Sequence, residues 1–245
     1  MGTAYFDCFS GISGNMILGA WIDLGVEPDQ LISELKKLNV SDYEITTRKV
    51  TKNGIKGTYV DVEVSDDIHH RHLKDIYDII DDSDLSERVQ TGAKQIFLKI
   101  AEAESCVHHK RVDEIHFHEV GATDAVIDVV GALIGLELLD ITRIVCSRLP
   151  LGCGFIQSAH GKIPLPSPAT AEIIKGLPVY SSGVNNELVT PTGAAIASSI
   201  ADSFGEFPCM TVKKIGYGAG TYDMEHPNLL RVFVGDEIDQ GVLMG

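Results

Sequence analysis

The sequence predicts an α/β (or α+β) fold, with a mixed sheet flanked by helices and a small β-hairpin region near residues 43–64. The chain opens with a strand, a glycine turn and a helix, which is the usual start of an α/β unit. Segments of strand-like alternation and segments of helical periodicity then follow one another. With 245 residues, 44% of them hydrophobic, the chain can bury a large core. No linker divides it, so we treat residues 1–245 as a single α/β region.

The first half of the chain is predicted to hold three strands and four helices. The apolar run TAYFDCF is typical of a buried strand, and Gly25 closes the helix that follows it. Asn53-Gly54 lies between two alternating segments and indicates a hairpin, with a loop of two residues or more. The predicted strands are 3–9, 43–50 and 57–64, and the predicted helices are 15–25, 29–38, 73–80 and 84–105.

The second half is predicted to alternate between helices, strands and one long loop. Residues 150–168 are rich in glycine and proline and predict an ordered surface loop. Thr190 suits a helix N-cap, and Pro191 suits the first helical position. Gly216–Gly220 indicates either a loop that lets backbone approach a ligand or a plain turn. The predicted elements are a short strand or extended segment at 113–118, helices at 120–139, 169–176 and 191–203, and strands at 141–149, 210–216 and 229–234.

The charge and the cysteines exclude several classes of function. The chain has 20 Lys and Arg against 35 Asp and Glu, a formal charge of −15, which repels nucleic acids and anionic membranes and favours cations. Its five scattered cysteines contain no C-x-x-C, which argues against a disulfide framework and a thiolate zinc site. The N-terminus does not resemble a signal peptide, and acidic residues interrupt the longest apolar stretch. We expect a cytoplasmic protein, and homo-oligomerisation stays open.

Histidines and carboxylates cluster in two segments and predict a metal site. Imidazole and carboxylate together suit a divalent first-row metal such as nickel, zinc, manganese or iron. Two of the carboxylates are four residues apart on an apolar helix, where paired like charges need a cation, an arginine or helix N–H groups. The alternatives are a solvated acidic loop, or an N-terminal cap with an internal ion pair. The candidate ligands are His70, His72, His116, His118, Glu119, Asp124 and Asp128.

The turn between the first strand and the first helix predicts an anion site. Free N–H groups at a helix N-terminus, together with two hydroxyls, can hold a phosphate. The turn is neither a P-loop nor a dinucleotide-binding glycine motif nor a nucleophile elbow, and a plain tight turn is the alternative. The candidate phosphate-binding residues are Ser10, Gly11, Ser13, Gly14 and Asn15.

Longer strings in the sequence carry a family resemblance. They are YFDCFSGISGNM, HFHEVGATDAVIDVVGA, LPLGCGF, HGKIPLPSPAT, ELVTPTGAA and IGYGAG, and together they reach from residue 4 to about residue 235. On these strings the chain resembles the nickel-insertion proteins of nickel-pincer cofactor biosynthesis.

The resemblance implies a reaction, its cofactors and its partners. Family members insert Ni²⁺ into pyridinium-3,5-bisthiocarboxylic acid mononucleotide, and the product holds nickel through two sulfurs and one ring carbon. The reaction, of the lyase class, uses CTP with Mg²⁺ or Mn²⁺, and its product serves lactate racemase and related enzymes. Because the metal–carbon bond forms with loss of a ring proton, a general base is expected.

The sequence also departs from the family pattern. The family's opening motif usually reads S-G-D-M, whereas Asn15 takes the third position here. Family members also continue into a C-terminal CTP-binding domain, so we expect this chain to correspond to their N-terminal part. A nickel storage or delivery module is the alternative function. A metal-dependent hydrolase ranks last, because no hydrolase signature is present.

Overall fold

The computed structural model describes residues 2–41, 43–64, 71–117, 123–158 and 161–238. Within them the main sheet has seven strands, in which parallel and antiparallel pairs are mixed. From one edge to the other, its strands are β2 (Tyr43–Lys52), β3 (Ile55–Val64), β10 (Met210–Ala219), β11 (Leu229–Glu237), β1 (Gly2–Asp7), β4 (Ile141–Cys146) and β9 (Ser203–Phe204).

Two small sheets and the helices complete the described fold. β5 (Leu149–Leu151) pairs with β8 (Val179–Ser181), and β6 (Phe155–Ser158) pairs with β7 (Gly161–Pro164). The helices are α1 (Gly14–Leu24), α2 (Pro28–Leu35), α3 (Leu73–Asp81), α4 (Glu87–His108), α5 (Thr123–Leu138), α6 (Pro168–Ile173) and α7 (Pro191–Ile200). The predicted fold class, a mixed sheet flanked by helices, is confirmed.

The hairpin of β2 and β3 is confirmed, and its loop is a tight one. Lys52 pairs with Ile55, so Asn53 and Gly54 alone form the turn. Both have positive φ, 47° and 83°, as the turns that match the right-handed twist of a hairpin require.

Two predictions about loops are wrong. The segment 150–168 holds the end of β5, the hairpin of β6 and β7, and the first residue of α6, because short strands pair there despite the many glycines and prolines. Gly216–Ala219 belongs to β10, where helix α1 lies almost against the strand. A Cβ on Gly218 would come within 1.7 Å of the Met16 carbonyl oxygen, so glycine serves close packing rather than a turn.

Helix α5 lies against α1 and fixes the position of the site described below. Its apolar residues are buried nearly all round, as its sequence predicts. The indole Nε1 of Trp21 donates to the carbonyl oxygen of Ala132 at 3.1 Å. A Cβ on Gly135 would lie 2.1 Å from Cδ1 of Trp21. Close approach at this crossing holds the first turns of α5 beside the first turn of α1.

Among the helices that the structure describes, none is long and apolar enough to cross a membrane.

Candidate functional site

The turn after β1 is held rigidly by the segment that leads into α7. Gly11 has φ +99°, and a Cβ there would lie 1.9 Å from the carbonyl oxygen of Leu188, so only glycine fits. The Ile12 N–H donates to that same oxygen at 2.8 Å, and the Thr190 N–H donates to the Ile12 carbonyl at 3.2 Å. The turn therefore has a fixed geometry before any ligand binds.

Helix α1 begins directly after this turn, and its N-cap hydroxyl does not cap it. Ser13 is the N-cap residue, yet its side chain accepts no N–H of the helix. Instead its Oγ donates to Oδ1 of Asn15 at 2.6 Å. The Asn15 amide then donates to the Val60 carbonyl oxygen at 3.5 Å. A hydroxyl and an amide are thus fixed beside the helix N-terminus, and this use of the amide nitrogen suits Asn15 rather than an aspartate.

A carboxylate from α5 lies at the N-terminus of α1. The backbone N–H of Asn15 faces the carboxyl of Asp128 and lowers its pKa. A Cβ on Gly14 would lie 2.2 Å from Oδ2 of Asp128, so the absent side chain makes room for the carboxyl. The residues predicted to bind a metal and the residues predicted to bind a phosphate therefore meet at one place.

The carboxyl of Asp128 is unusual because one of its oxygens makes no hydrogen bond within the described structure. Part of the residue reaches the surface, but Oδ1 is buried and has no hydrogen-bond partner in the described structure. Burial raises the pKa of Asp128 well above its usual range, the neighbouring Asp124 raises it further, and the Asn15 N–H lowers it. Burial also raises the pKa of Asp124, against the effect of the Ala125 N–H that donates to it at 2.8 Å.

A second buried polar group without a hydrogen-bond partner in the described structure lies in the turn after β1. Ser10 is fully buried, and its Oγ has no partner among the described atoms. Buried hydroxyls and carboxylates are normally hydrogen-bonded, and those that are not require an explanation. Asp128 and Ser10 are therefore polar groups that a bound cation, water or ligand would satisfy.

Two of the predicted histidines lie in contact. His72 and His116 form an isolated antiparallel bridge, and their ring centroids are 3.8 Å apart. Nδ1 of His72 lies 3.0 Å from the carbonyl oxygen of Ile115. A carbonyl can only accept, so Nδ1 carries the proton and Nε2 keeps its lone pair for a metal or a proton.

The histidine pair is joined to the start of α5. The guanidinium of Arg71 donates twice to Oγ1 of Thr123, at 3.1 Å each, and the Arg71 carbonyl accepts the N–H of Phe117. Thr123 immediately precedes Asp124 in the helix. The backbone hydrogen bond between Phe117 and Arg71, together with the side chain of Arg71, thus connects the two histidines to helix α5.

Glu114 belongs to a 3₁₀ turn instead of the extended segment that we predicted at 113–118.

Several predicted residues fall outside the structural description. His70, His118 and Glu119 lie outside the described residues, so their place in the site stays a prediction. Within the described ranges, no three His, Cys, Asp or Glu side chains are close enough together to hold a metal ion. What the structure brings together is Asp128 with the turn, and His72 with His116.

A cleft opens beside the turn and includes residues that sequence reasoning missed. Its volume is about 180 Å³, and Ser13 and Asn15 line one part of it. Thr221, Tyr222 and Asn228 line another part. Gly220 lies at the same place, where a Cβ would lie 2.6 Å from the Asn228 side chain. A larger cavity of about 560 Å³ among α4, α5, α7 and β4 contains none of the predicted site residues.

Comparison with known proteins agrees with the family resemblance of the sequence. The family of nickel insertion proteins matches residues 4–243, so the chain belongs to that family. A relative from Dictyoglomus thermophilum, provisionally named as a nickel insertion protein, is 54% identical over 99% of this chain and 63% of its own length.

Two further relatives carry a more specific name, pyridinium-3,5-bisthiocarboxylic acid mononucleotide nickel insertion protein. The one from Staphylococcus epidermidis is 48% identical over 93% of this chain and 58% of its own length. The one from Desulfitobacterium hafniense is 45% identical over 98% and 60%. The chain therefore spans about three fifths of the length of these curated relatives. No solved structure matches it.

Proposed function

We propose that this chain inserts Ni²⁺ into pyridinium-3,5-bisthiocarboxylic acid mononucleotide, with nickel as a substrate that passes through the site. Family membership and the names of two relatives support nickel insertion. The observation that carries the proposal to particular residues is the buried, unpartnered Oδ1 of Asp128 at the N-terminus of α1. An anionic carboxyl in that place is unfavourable unless a cation joins it.

Nickel would be held by the carboxylates of α5 at one place, and the histidine pair would offer donors at a second place. Asp124 and Asp128 offer oxygen, and Nε2 of His72 and the ring of His116 offer nitrogen, types of donor that suit Ni²⁺. Within the described ranges these side chains do not meet around one ion, so a complete coordination shell requires further donors. His70, His118 and Glu119 stay further candidates from the sequence. Mixed oxygen and nitrogen donors bind nickel less firmly than thiolates, so nickel could pass on to the two sulfurs of the organic ligand.

The raised pKa of Asp128 gives it a second role in this proposal. Forming the nickel–carbon bond breaks a ring C–H bond, whose electron pair goes to the metal and whose proton needs an acceptor. While Ni²⁺ contacts Asp128, the carboxyl stays ionised. As the metal moves to the sulfurs, the carboxyl regains its affinity for a proton. We propose that Asp128 then accepts the ring proton.

The predicted phosphate residues would act in the presence of the metal. The Asn15 N–H already faces the Asp128 carboxyl, and a phosphate beside that carboxylate would be repelled by its charge. We propose that the phosphate binds on the hydroxyl side of the turn, near Ser13 and Thr190 in the cleft, when a cation lies between it and Asp128. Ser10, Gly11 and Gly14 then serve mainly to fix the shape of the turn.

The remaining parts of the proposal concern the whole protein. CTP with Mg²⁺ or Mn²⁺ would drive the reaction together with the region of the relatives that this chain does not match. The expected cytoplasmic location, and the delivery of product to lactate racemase and related enzymes, belong to the same proposal.

The experiment combines the chain with the unmatched region of the Dictyoglomus thermophilum relative as a separate polypeptide. The mixture receives the mononucleotide, Ni²⁺, CTP and Mg²⁺, and the nickel-bearing product is detected by mass spectrometry. We expect product from the mixture with the wild-type chain and less than about one tenth as much with Asp128→Asn. Stoichiometric nickel binding without product in any mixture would instead favour the storage or delivery module.

A further inference from the structure

Residues of the β2–β3 hairpin hold the loop between β10 and β11 in place. Nζ of Lys52 donates to the carbonyl oxygens of Thr221 and Tyr222, at 3.4 and 3.1 Å, and pairs with the Asp223 carboxyl at 2.6 Å. The Lys52 side chain is only 12% exposed. The Asn53 amide donates to two further carbonyls of the loop, those of Met224 and Glu225. The backbone on both sides of Tyr222 is therefore fixed.

The base of the same loop is closed by a second set of contacts. The Gly220 N–H donates to the Asn228 carbonyl at 3.0 Å. The buried Asn228 amide donates to the Tyr222 carbonyl at 3.1 Å. Side chain and backbone thus hold the loop in one conformation without using the ring of Tyr222.

The ring of Tyr222 is left exposed at the cleft. Tyr222 is 45% exposed and lines the same cleft of about 180 Å³ as Ser13 and Asn15. In the described part of the chain, no aromatic ring or cationic side chain packs on its face, unlike Tyr59, which Arg48 covers. An exposed and unstacked aromatic side chain on a backbone that is held in place is a surface suited to a flat ligand.

The face of a tyrosine favours a cationic ring over an uncharged one. Glu187 also lines the cleft, and the carboxyl of Asp128 faces the backbone N–H of Asn15. These carboxylates attract a pyridinium ring but repel thiocarboxylates and a phosphate, so the anionic groups of such a ligand need a cation between them and the carboxylates of the protein.

We propose that Tyr222 stacks on the pyridinium ring of a mononucleotide whose sugar and phosphate extend into the cleft toward Ser13. This inference rests on the proposed function, because a pyridinium mononucleotide is the ligand in the names of two relatives. It adds the residue that recognises the ring. Tyr222 is thereby a substrate-binding residue, and the loop 220–228 is the element that positions it.

The test uses nicotinamide mononucleotide, a pyridinium mononucleotide that carries no sulfur, titrated by calorimetry into the nickel-free chain with Mg²⁺ present, so that a cation can lie between its phosphate and Asp128. We expect Tyr222→Leu to weaken its binding about tenfold, and Tyr222→Phe to keep it, because the ring face carries the interaction. Binding of ribose 5-phosphate, which has no ring, should not change in Tyr222→Leu. The reduced mononucleotide, whose ring is uncharged, should bind more weakly than the oxidised form.

The matched control is Tyr180→Leu, a tyrosine of similar exposure outside this cleft. It should bind the probe as the wild type does, and thermal unfolding checks that each variant is folded. Equal affinity of Tyr222→Leu and wild type, or no measurable binding of the probe to the wild type, would overturn the proposal. Because the probe needs no nickel and gives no product, ring binding can succeed where nickel insertion fails, and the two proposals are separated.

Discussion

The carboxyl of Asp128 occupies the space that any side chain at Gly14 would need, since a Cβ on Gly14 would lie 2.2 Å from Oδ2 of Asp128. The first turn of α1 and the first turns of α5 therefore meet through a glycine and an aspartate. This contact joins the turn that follows β1 to the carboxylate helix. Because α1 and α5 share this contact, a substitution on α1 should affect α5, and a substitution on α5 should affect α1.

Gly14→Ala should disrupt this contact. The added methyl group must displace the Asp128 carboxyl or separate α1 from α5, because the three atoms nearest to it all belong to the Asp128 side chain. We expect a loss of unfolding free energy of about 1–3 kcal/mol and weaker nickel binding. Urea denaturation and nickel titration measure the two effects. Gly205→Ala is the control, since nothing lies within 4 Å of a Cβ there, and equal effects of both substitutions would contradict the account.

Asp128→Asn should change how stability depends on pH in the metal-free chain. Burial raises the folded-state pKa of Asp128 above its unfolded value, so the wild type loses stability as pH rises from about pH 4 through the raised pKa. The neutral amide cannot ionise. The stability of Asp128→Asn relative to wild type should therefore increase as pH rises from about 4.5 to neutral. Urea denaturation with a chelator tests this, and a difference independent of pH would show that Asp128 is not the titrating group.

Excess nickel should reverse the gain in stability that Asp128→Asn has over wild type near neutral pH. A cation that binds the ionised carboxyl stabilises only the wild-type folded state, by an amount that grows with the metal concentration. Wild type should therefore gain more thermal stability from Ni²⁺ than Asp128→Asn does. An equal gain in both proteins would mean that nickel binds elsewhere.

His116→Ala should weaken nickel binding without unfolding the chain. The His116 side chain is exposed, so its removal costs little stability, but it removes one ring of the His72 pair. We expect about tenfold weaker binding of Ni²⁺ by calorimetry. His109→Asn is the matched control, because His109 is an exposed histidine with φ +52°, a conformation that asparagine tolerates. Unchanged affinity in His116→Ala would remove the histidine pair from the site.

Thr190→Ala should loosen the segment that clamps the turn. The Thr190 side chain caps α7 by accepting the Gly193 N–H at 3.0 Å, and the loss of such a cap costs about 1 kcal/mol. Thr190→Ser keeps the hydroxyl and should keep the stability. Thermal unfolding distinguishes them, and equal destabilisation by both changes would assign the effect to the methyl group instead of the cap.

Local signals in the sequence were sufficient for much of the fold. Asn53-Gly54 predicted the hairpin because few other dipeptides tolerate positive φ at both positions. Thr190-Pro191 predicted the start of α7 through cap chemistry that is local to four residues. The strand pairing that interrupts 150–168 and the role of Gly218 depend on distant neighbours, which local patterns do not contain.

The same distinction applies to the site. Asp124 and Asp128 stood out because two charges on an apolar helix are costly, and the structure shows the burial behind that cost. The contact of Asp128 with Gly14 could not be read from spacing, because 114 positions separate the two residues along the chain. Tyr222 was missed because an exposed tyrosine in a loop gives no local sign that it faces a cleft built from other segments.

The central claim is that Asp128 holds nickel at the N-terminus of α1. Nickel titration calorimetry on the wild-type chain, on Asp128→Asn and on Asp113→Asn tests it most directly, since Asp113 is an exposed carboxylate paired with Arg111 outside the site. The account predicts one stoichiometric nickel site in the wild type and in Asp113→Asn, and at least about tenfold weaker binding in Asp128→Asn. Identical isotherms for all three proteins would contradict it.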